Sequence, residues 1–365
     1  MNLIAWLSLR LAPGIGSVRF LRLVQALGSP EAVLKAPWQQ LAAIKGISQA
    51  LAQSIARGEL SADPQAELDK LAKMGGRVVT LEHGEYPPLL KSVLAPPPML
   101  FVLGDLEPCL PGGVAIVGSR AYSPYGRRVA HEVARDLALA GKSVISGLAR
   151  GIDTASHAAA LEAGGHTVGV LGCGLDVAYP PENRRLIKDM AVKGAVISEF
   201  PLGTRPAAGN FPVRNRVISV LSQAVVIVEA GRKSGSLITA RHALDQGREV
   251  FAVPGPVGSP QSEGCHDLIR QGARLLSSAA DLMEPGALMP TPAPGADSAA
   301  SPPPPALDLP PEWRQVLEIT SVDPVHVDLI VRESGLKPQE VTAILVSLEM
   351  EGLVEQQPGK HYVRL

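Results

Sequence analysis

Four short segments of this chain carry cationic residues, three of them beside glycine and serine. They are Gly118-Ser119-Arg120, Ser146-Gly147-Leu148-Ala149-Arg150-Gly151-Ile152-Asp153, Asn210-Phe211-Pro212-Val213-Arg214-Asn215-Arg216 and Glu229-Ala230-Gly231-Arg232-Lys233-Ser234-Gly235-Ser236-Leu237. Glycine and serine let an anion approach the backbone, and a helix N-terminus supplies N–H groups and a partial positive charge. Arg120, Arg150, Arg214, Arg216 and Lys233 add full charges. One Gly-x-x-Gly pattern is a weak signal, and none here matches a Walker A loop or a GxGxxG fingerprint. Singly, each segment reads equally well as a tight strand–helix turn with a solvated arginine. Four such loops converging on one rim would cradle a chain of phosphates, so the expected chemistry is polyanion binding.

Constellations for catalysis are missing. No Gly-x-Ser-x-Gly elbow and no HExxH motif occurs, and the eight histidines are scattered. Cys109, Cys173 and Cys265 form no CxxC pair, so neither a disulfide framework nor a four-ligand zinc site is expected, and a reducing, cytoplasmic setting fits. Gly172 and Gly174, flanking Cys173, are expected to shape a pocket wall. The chain is read as a non-catalytic protein with no cofactor and no metal. The alternative is a nucleotide-binding hydrolase of the nucleoside-monophosphate phosphoribohydrolase type, motivated by Glu229 just before Gly231. Against it, the loop reads Lys-Ser-Gly-Ser rather than Pro-Gly-Gly-x-Gly-Thr.

The loops need elements to aim them. Apolar β-branched runs at Val114–Val117, Ser143–Ser146, Thr167–Leu171, Ala195–Ser198, Ala224–Val228 and Glu249–Val253 alternate with helical patterns at Gly126–Ala140, Thr154–Ala163, Pro181–Val192 and Ser236–Gln246. Strands that are apolar throughout, interleaved with helices, imply an α/β fold: a doubly wound, mostly parallel sheet covered on both faces. Ligands of such sheets bind at the carboxyl ends of the strands, where three of the four segments fall.

Five regions follow along the chain. Residues 1–65 are expected to be all-α, with Pro13–Ser17 and Ile44–Ser48 as the turns of two helix-hairpin-helix units. Residues 66–111 read as a connector, 112–285 as the central domain, and 286–309, rich in Pro, Ala and Ser, as a disordered linker. Residues 310–365 suggest three helices and a hairpin, a winged-helix-like module. Net charge is −1 overall, but residues 112–285 hold 19 Lys and Arg against 15 Asp and Glu, whereas residues 310–365 hold 5 against 9. That acidic module, with no Lys or Arg in its third helix after Lys337, is expected to contact protein rather than DNA. No run of about 18 apolar residues exists, so no membrane span is expected, and the short apolar start reads as an amphipathic helix rather than a signal peptide.

The motifs Val117-Gly118-Ser119-Arg120, Ser146 to Asp153, Tyr179-Pro180-Pro181-Glu182-Asn183, Asn210 to Ser219 and Lys233-Ser234-Gly235-Ser236-Leu237, in this order, resemble the DNA-processing protein A (DprA/Smf) family in its long three-module form. The resemblance implies a Rossmann-like central domain, a SAM-like helical module and a winged helix. It implies single-stranded DNA binding and loading of a RecA-type recombinase in natural transformation, with single-strand-binding protein as a further partner and a homodimer through the Rossmann-like domain. By the same resemblance, Arg120 and the loops around Gly147 and Ser234 hold phosphates and Phe211 stacks on a base. Two positions depart: Ala208 stands where some relatives carry lysine, with Arg205 as a substitute nearby, and His266 stands where the family commonly has asparagine.

Overall fold

The computed structural model describes residues 2–93, 95–284, 288, 310–320, 325–350, 353–357 and 360–364. Apart from position 288, the expected linker 286–309 lies outside the described residues. The chain divides into two compact units, Met1–Pro294 and Gly295–Leu365.

The first unit begins with helices α1 (Leu3–Leu11), α2 (Ser17–Leu27), α3 (Pro30–Lys35), α4 (Trp38–Ala42), α5 (Gln49–Ala56) and α6 (Pro64–Lys73). The expected hairpin turns join α1 to α2 and α4 to α5. Asn2, Ser29, Ser48 and Asp63 start α1, α3, α5 and α6 by accepting a backbone N–H from the first turn, which satisfies a donor the helix itself cannot.

Then come β1 (Gly76–Thr80), α7 (Pro88–Lys91), β2 (Met99–Gly104), β3 (Gly113–Gly118), α8 (Pro124–Leu139), β4 (Val144–Ser146), α9 (Ile152–Glu162), β5 (Thr167–Leu171), α10 (Arg184–Lys193) and β6 (Ala195–Ser198). They are followed by α11 (Asn210–Val220), β7 (Ser222–Val228), α12 (Ser236–Asp245), β8 (Glu249–Ala252), α13 (Glu263–Arg270) and β9 (Arg274–Leu275). The strands form one sheet in the order β1-β2-β6-β5-β4-β3-β7-β8-β9. From β6 to β9 all neighbours are parallel, and β2 and β1 extend the β6 edge antiparallel. The segment expected to be a connector therefore supplies two strands.

Side-chain alternation explains the layering. In β7, Val225 and Ile227 join a core with Val217 of α11 and Ala240 of α12. Their neighbours Ala224, Val226 and Val228 join the opposite core, with Ala130 and Val133 of α8 and Ala159 of α9. Successive residues of a strand face opposite sides, so a fully apolar strand needs helices on both. A third core fuses the N-terminal helices to the sheet: Trp6, Leu9 and Phe20 pack with Phe101 and Leu103 of β2 and Val196 of β6.

Chain order reverses at β3. From this strand the chain winds through β4, β5 and β6 to one side, then crosses to β7, β8 and β9 on the other. A crevice opens at such a switch point, here between the ends of β3 and β7.

The second unit contains α14 (Pro311–Ile319), β10 (Val325–His326), α15 (Val327–Ser334), α16 (Pro338–Met350), β11 (Val354–Gln357) and β12 (His361–Arg364). Its strands form an antiparallel sheet, β10-β12-β11. Val316, Ile330, Val341, Leu345, Leu348, Val354 and Tyr362 make its own core, the arrangement of a winged helix. No helix among the described residues is long and apolar enough to cross a membrane.

Candidate nucleic-acid interface

An open cleft of about 640 Å³ occupies the switch point, within the range typical of ligand sites. Gly118, Ser119 and Arg120 line it from the end of β3. Phe211, Arg214 and Asn215 line it from α11, and Lys233, Ser234, Gly235 and Ser236 from the turn between β7 and α12. Ala149 and Asp153 add the Ser146–Asp153 segment, so all four sequence segments contribute, this one through residues other than its expected Ser146, Gly147, Arg150 and Gly151.

Close packing explains the small residues on the β3 side. A Cβ on Gly118 would stand 1.8 Å from the Val228 carbonyl oxygen, and one on Gly147 would stand 2.4 Å from the Arg214 guanidinium. Glycine is therefore required there by crowding rather than by a ligand. Gly235 differs. It is exposed, nothing lies within 4 Å of its virtual Cβ, and α12 begins after it without a side-chain cap. That helix start opens to the cleft, with Ser234 Oγ and Ser236 Oγ 2.7 Å apart beside it. Asn215 ties this turn to α11 by donating from Nδ2 to the Gly235 carbonyl at 3.3 Å.

Phe211 stands over the floor of the cleft. Arg120 Cζ lies 5.4 Å and Arg214 Cζ 5.9 Å from the ring centroid, within reach of cation–π attraction. Tyr179 packs beside it, centroids 5.7 Å apart. A Cβ at Gly172 would reach within 3.1 Å of the ring, so Gly172 makes room for Phe211, but neither Gly172 nor Gly174 lines the cleft itself.

The five expected cations separate into three kinds. Arg120 and Lys233 are exposed on the cleft rim. Arg214 is 5% exposed and donates to the carbonyl oxygens of Gly147 and Val170 and, at 3.2 Å, to Asn215 Oδ1. Burial lowers its guanidinium to about 10, with Asp153 opposing that shift, so it stays charged at neutral pH. Asp153, itself accepting from the Gly147 and Ala149 amides at 3.1 and 3.3 Å, is pushed up by burial and held back by Arg214. Arg214 is thus a buried brace beneath Phe211.

Arg150 and Arg216 are not brought into the cleft. Arg150 pairs with the Glu182 carboxylate on an exposed surface. Arg216 donates to Glu199 Oε2 at 2.7 Å and to the Ala95 carbonyl at 2.9 Å. Arg10 and Ser17 of the N-terminal helices reach the same glutamate, at its carbonyl and Oε2, at 3.2 and 3.3 Å. Arg216 therefore clasps the helical module to the sheet. Ser146, Gly147 and Gly151 are buried behind the lining, and Ser146 Oγ donates to the Ile116 carbonyl at 2.6 Å. These three support the wall.

Sequence reasoning missed Asp153, Tyr179 and Thr239. Asp153 stood inside a quoted motif, but nothing in its spacing marked it as the partner of a buried arginine. Tyr179 is far from Phe211 in sequence, and only the folded chain pairs them. Glu229, the motive for a hydrolase, lies at φ +54° and accepts from the Ser123 hydroxyl and, at 2.8 Å, the Ser123 amide. Both carboxylate oxygens are committed to starting α8.

Comparisons with known proteins agree with this architecture. The family description DNA recombination-mediator protein A matches residues 77–286, the DprA winged helix domain residues 300–360, and a SAM-like helix-hairpin-helix tandem residues 8–58. Protein Smf of Synechocystis is 34% identical over 98% of this chain and 98% of its own length. Protein Smf of Escherichia coli is 43% identical over 77% of this chain and 75% of its own. The X-ray structure of DNA processing protein A from Streptococcus pneumoniae superposes with a TM-score of 0.69 at 34% identity, covering 78% of this chain and 97% of that one. DNA processing protein A from Helicobacter pylori, described for its unique single-stranded DNA binding mode, superposes with a TM-score of 0.52 at 32% identity over 57% of this chain and 94% of its own. The chain belongs to the DNA recombination-mediator protein A family, also called DprA or Smf.

Proposed function

We propose that this chain binds single-stranded DNA in the switch-point cleft and, without doing bond chemistry, delivers it to a RecA-type recombinase during DNA processing in natural transformation. One observation carries the reading: an aromatic ring, Phe211, lines the same cleft as exposed Arg120, whose Cζ lies 5.4 Å from its centroid, and the Lys233–Ser236 turn. Stacking on an aromatic face tolerates any base, and flanking cations follow the phosphates. The Helicobacter pylori relative's described DNA binding supports the ligand. In this reading single-strand-binding protein is displaced from the strand, the active species is a homodimer, and the winged helix contacts protein.

Fluorescence anisotropy with oligo-dT tests it. Arg120→Ala is expected to weaken binding about tenfold or more, about 1.4 kcal/mol, and Phe211→Ala by about 1–3 kcal/mol per base stacked. Lys233→Ala is expected to reduce the log–log salt slope by about 0.7, one phosphate's worth. Unchanged affinity in Arg120→Ala would overturn the assignment.

A further inference from the structure

The cleft does not end the basic surface. The turn Arg120-Ala121-Tyr122 leaves its rim and runs into a second groove of about 490 Å³ along the exposed side of α8. This groove is lined by Tyr122, Arg127, Arg128, His131, Glu132 and Arg135, together with Pro124. The spacing from 128 through 131 and 132 to 135 is that of one helix face. Three arginines stand against one glutamate.

Its charges are not equally available. Arg135 is held by Asp136 at 2.9 Å and His131 by Glu162 at 3.1 Å. Among the described residues, no carboxylate pairs with Arg127 or Arg128. Arg128 Cζ stands 5.9 Å from the centroid of the Tyr125 ring, and Tyr125 is itself anchored through its hydroxyl to the Pro254 carbonyl at 2.8 Å. Tyr122 is 38% exposed. The connecting turn is fixed as well: Gln261 Nε2 donates to the Ala121 carbonyl at 2.7 Å, and Glu229 holds Ser123. A fixed, cationic channel with an exposed aromatic at its entrance, continuous with the proposed cleft, has the composition that suits single-stranded nucleic acid.

We infer that the α8 groove is a second segment of the strand's path, in which Arg127 and Arg128 grip phosphates of the same single strand as it leaves the cleft past Tyr122. The inference rests on the cleft reading and lengthens its footprint. The occupant is the continuing strand because the groove opens from the cleft and, with Arg127 and Arg128 against Glu132, its unpaired charge is net positive.

The test uses the full chain and two labelled oligo-dT probes, one of about 5 nucleotides to occupy the cleft alone and one of about 20 to reach beyond it. The double variant Arg127→Gln/Arg128→Gln is expected to leave the short probe's affinity unchanged. It should weaken the long probe roughly tenfold at low salt and reduce its log–log salt slope by about 1.4, two phosphates' worth. Glu132→Gln, which removes the groove's own carboxylate, is expected to tighten the long probe about twofold, a gain that misfolding cannot mimic. Equal losses with both probes in the double variant, or an unchanged slope with the long one, would overturn the groove. If Arg120→Ala abolishes binding of both probes while the double variant changes neither, the cleft stands and the groove falls. If Arg120→Ala also changes nothing, the cleft reading itself falls.

Discussion

At the scale of single residues, burial sorts side chains that look alike in sequence. Arg120, Arg150, Arg214, Arg216 and Lys233 all stand in the four quoted segments, yet one is a brace, one a clasp and one a surface ion pair. No local pattern distinguishes them, because what decides is the depth at which each guanidinium finds carbonyl or carboxylate oxygens. His157 shows the same rule in a titratable group. It is fully buried, and its Nδ1 lies 2.7 Å from the Thr167 hydroxyl, which donates in turn to the Val144 carbonyl. That fixes the neutral tautomer with the proton on Nδ1. Burial, helped by the charge of Arg214, lowers its pKa to about 3. The unfolded chain takes up this proton below about pH 6.5 while the folded chain does not, so stability is lost as pH falls through that window. Urea denaturation between about pH 6 and about pH 4 is expected to show His157→Gln with a slope shallower than the parent by about 1.4 kcal/mol per pH unit.

At the scale of elements, the six strands expected from apolar runs are present, and so are the helices between them, because long runs of β-branched residues flanked by glycine leave few alternatives. What escaped notice was α11, expected as a loop. Its sequence, NFPVRNRVISV, has proline in the first turn and four β-branched residues, all poor helix formers in isolation. Proline is tolerated in the first turn, and burial of Val217, Ile218 and Val220 against the sheet outweighs propensity. The strands β1 and β2 were hidden for another reason: Pro96, Pro97 and Pro98 precede β2 and give its surroundings the look of a linker. Yet Phe101 and Leu103 of β2 share a core with the N-terminal helices. Deleting residues 1–65 would expose that face, and the truncated chain is expected to aggregate or to lose cooperative thermal unfolding. A sharp, unshifted melting transition would contradict this shared core.

At the scale of the whole molecule, the two units have separate cores and opposite charge. Among the described residues, the cores of Met1–Pro294 are built from that unit's own side chains and the winged helix from its own. A chain ending at Pro294 is therefore expected to keep its melting temperature within about 2 °C and its oligo-dT affinity within about twofold. A loss of either would assign the winged helix a part in the cleft. Within the larger unit, α11 acts as a single rod. Its first turns carry Phe211 and Arg214 to the cleft, and its next residue but one after Arg214 grasps Glu199, where the helical hairpins are moored. A helix embedded in a close-packed core moves as a rigid piece. A tug on the hairpins strong enough to roll that rod would swing the phenyl ring with it, so the amino-terminal module and the proposed base-stacking ring share one fulcrum.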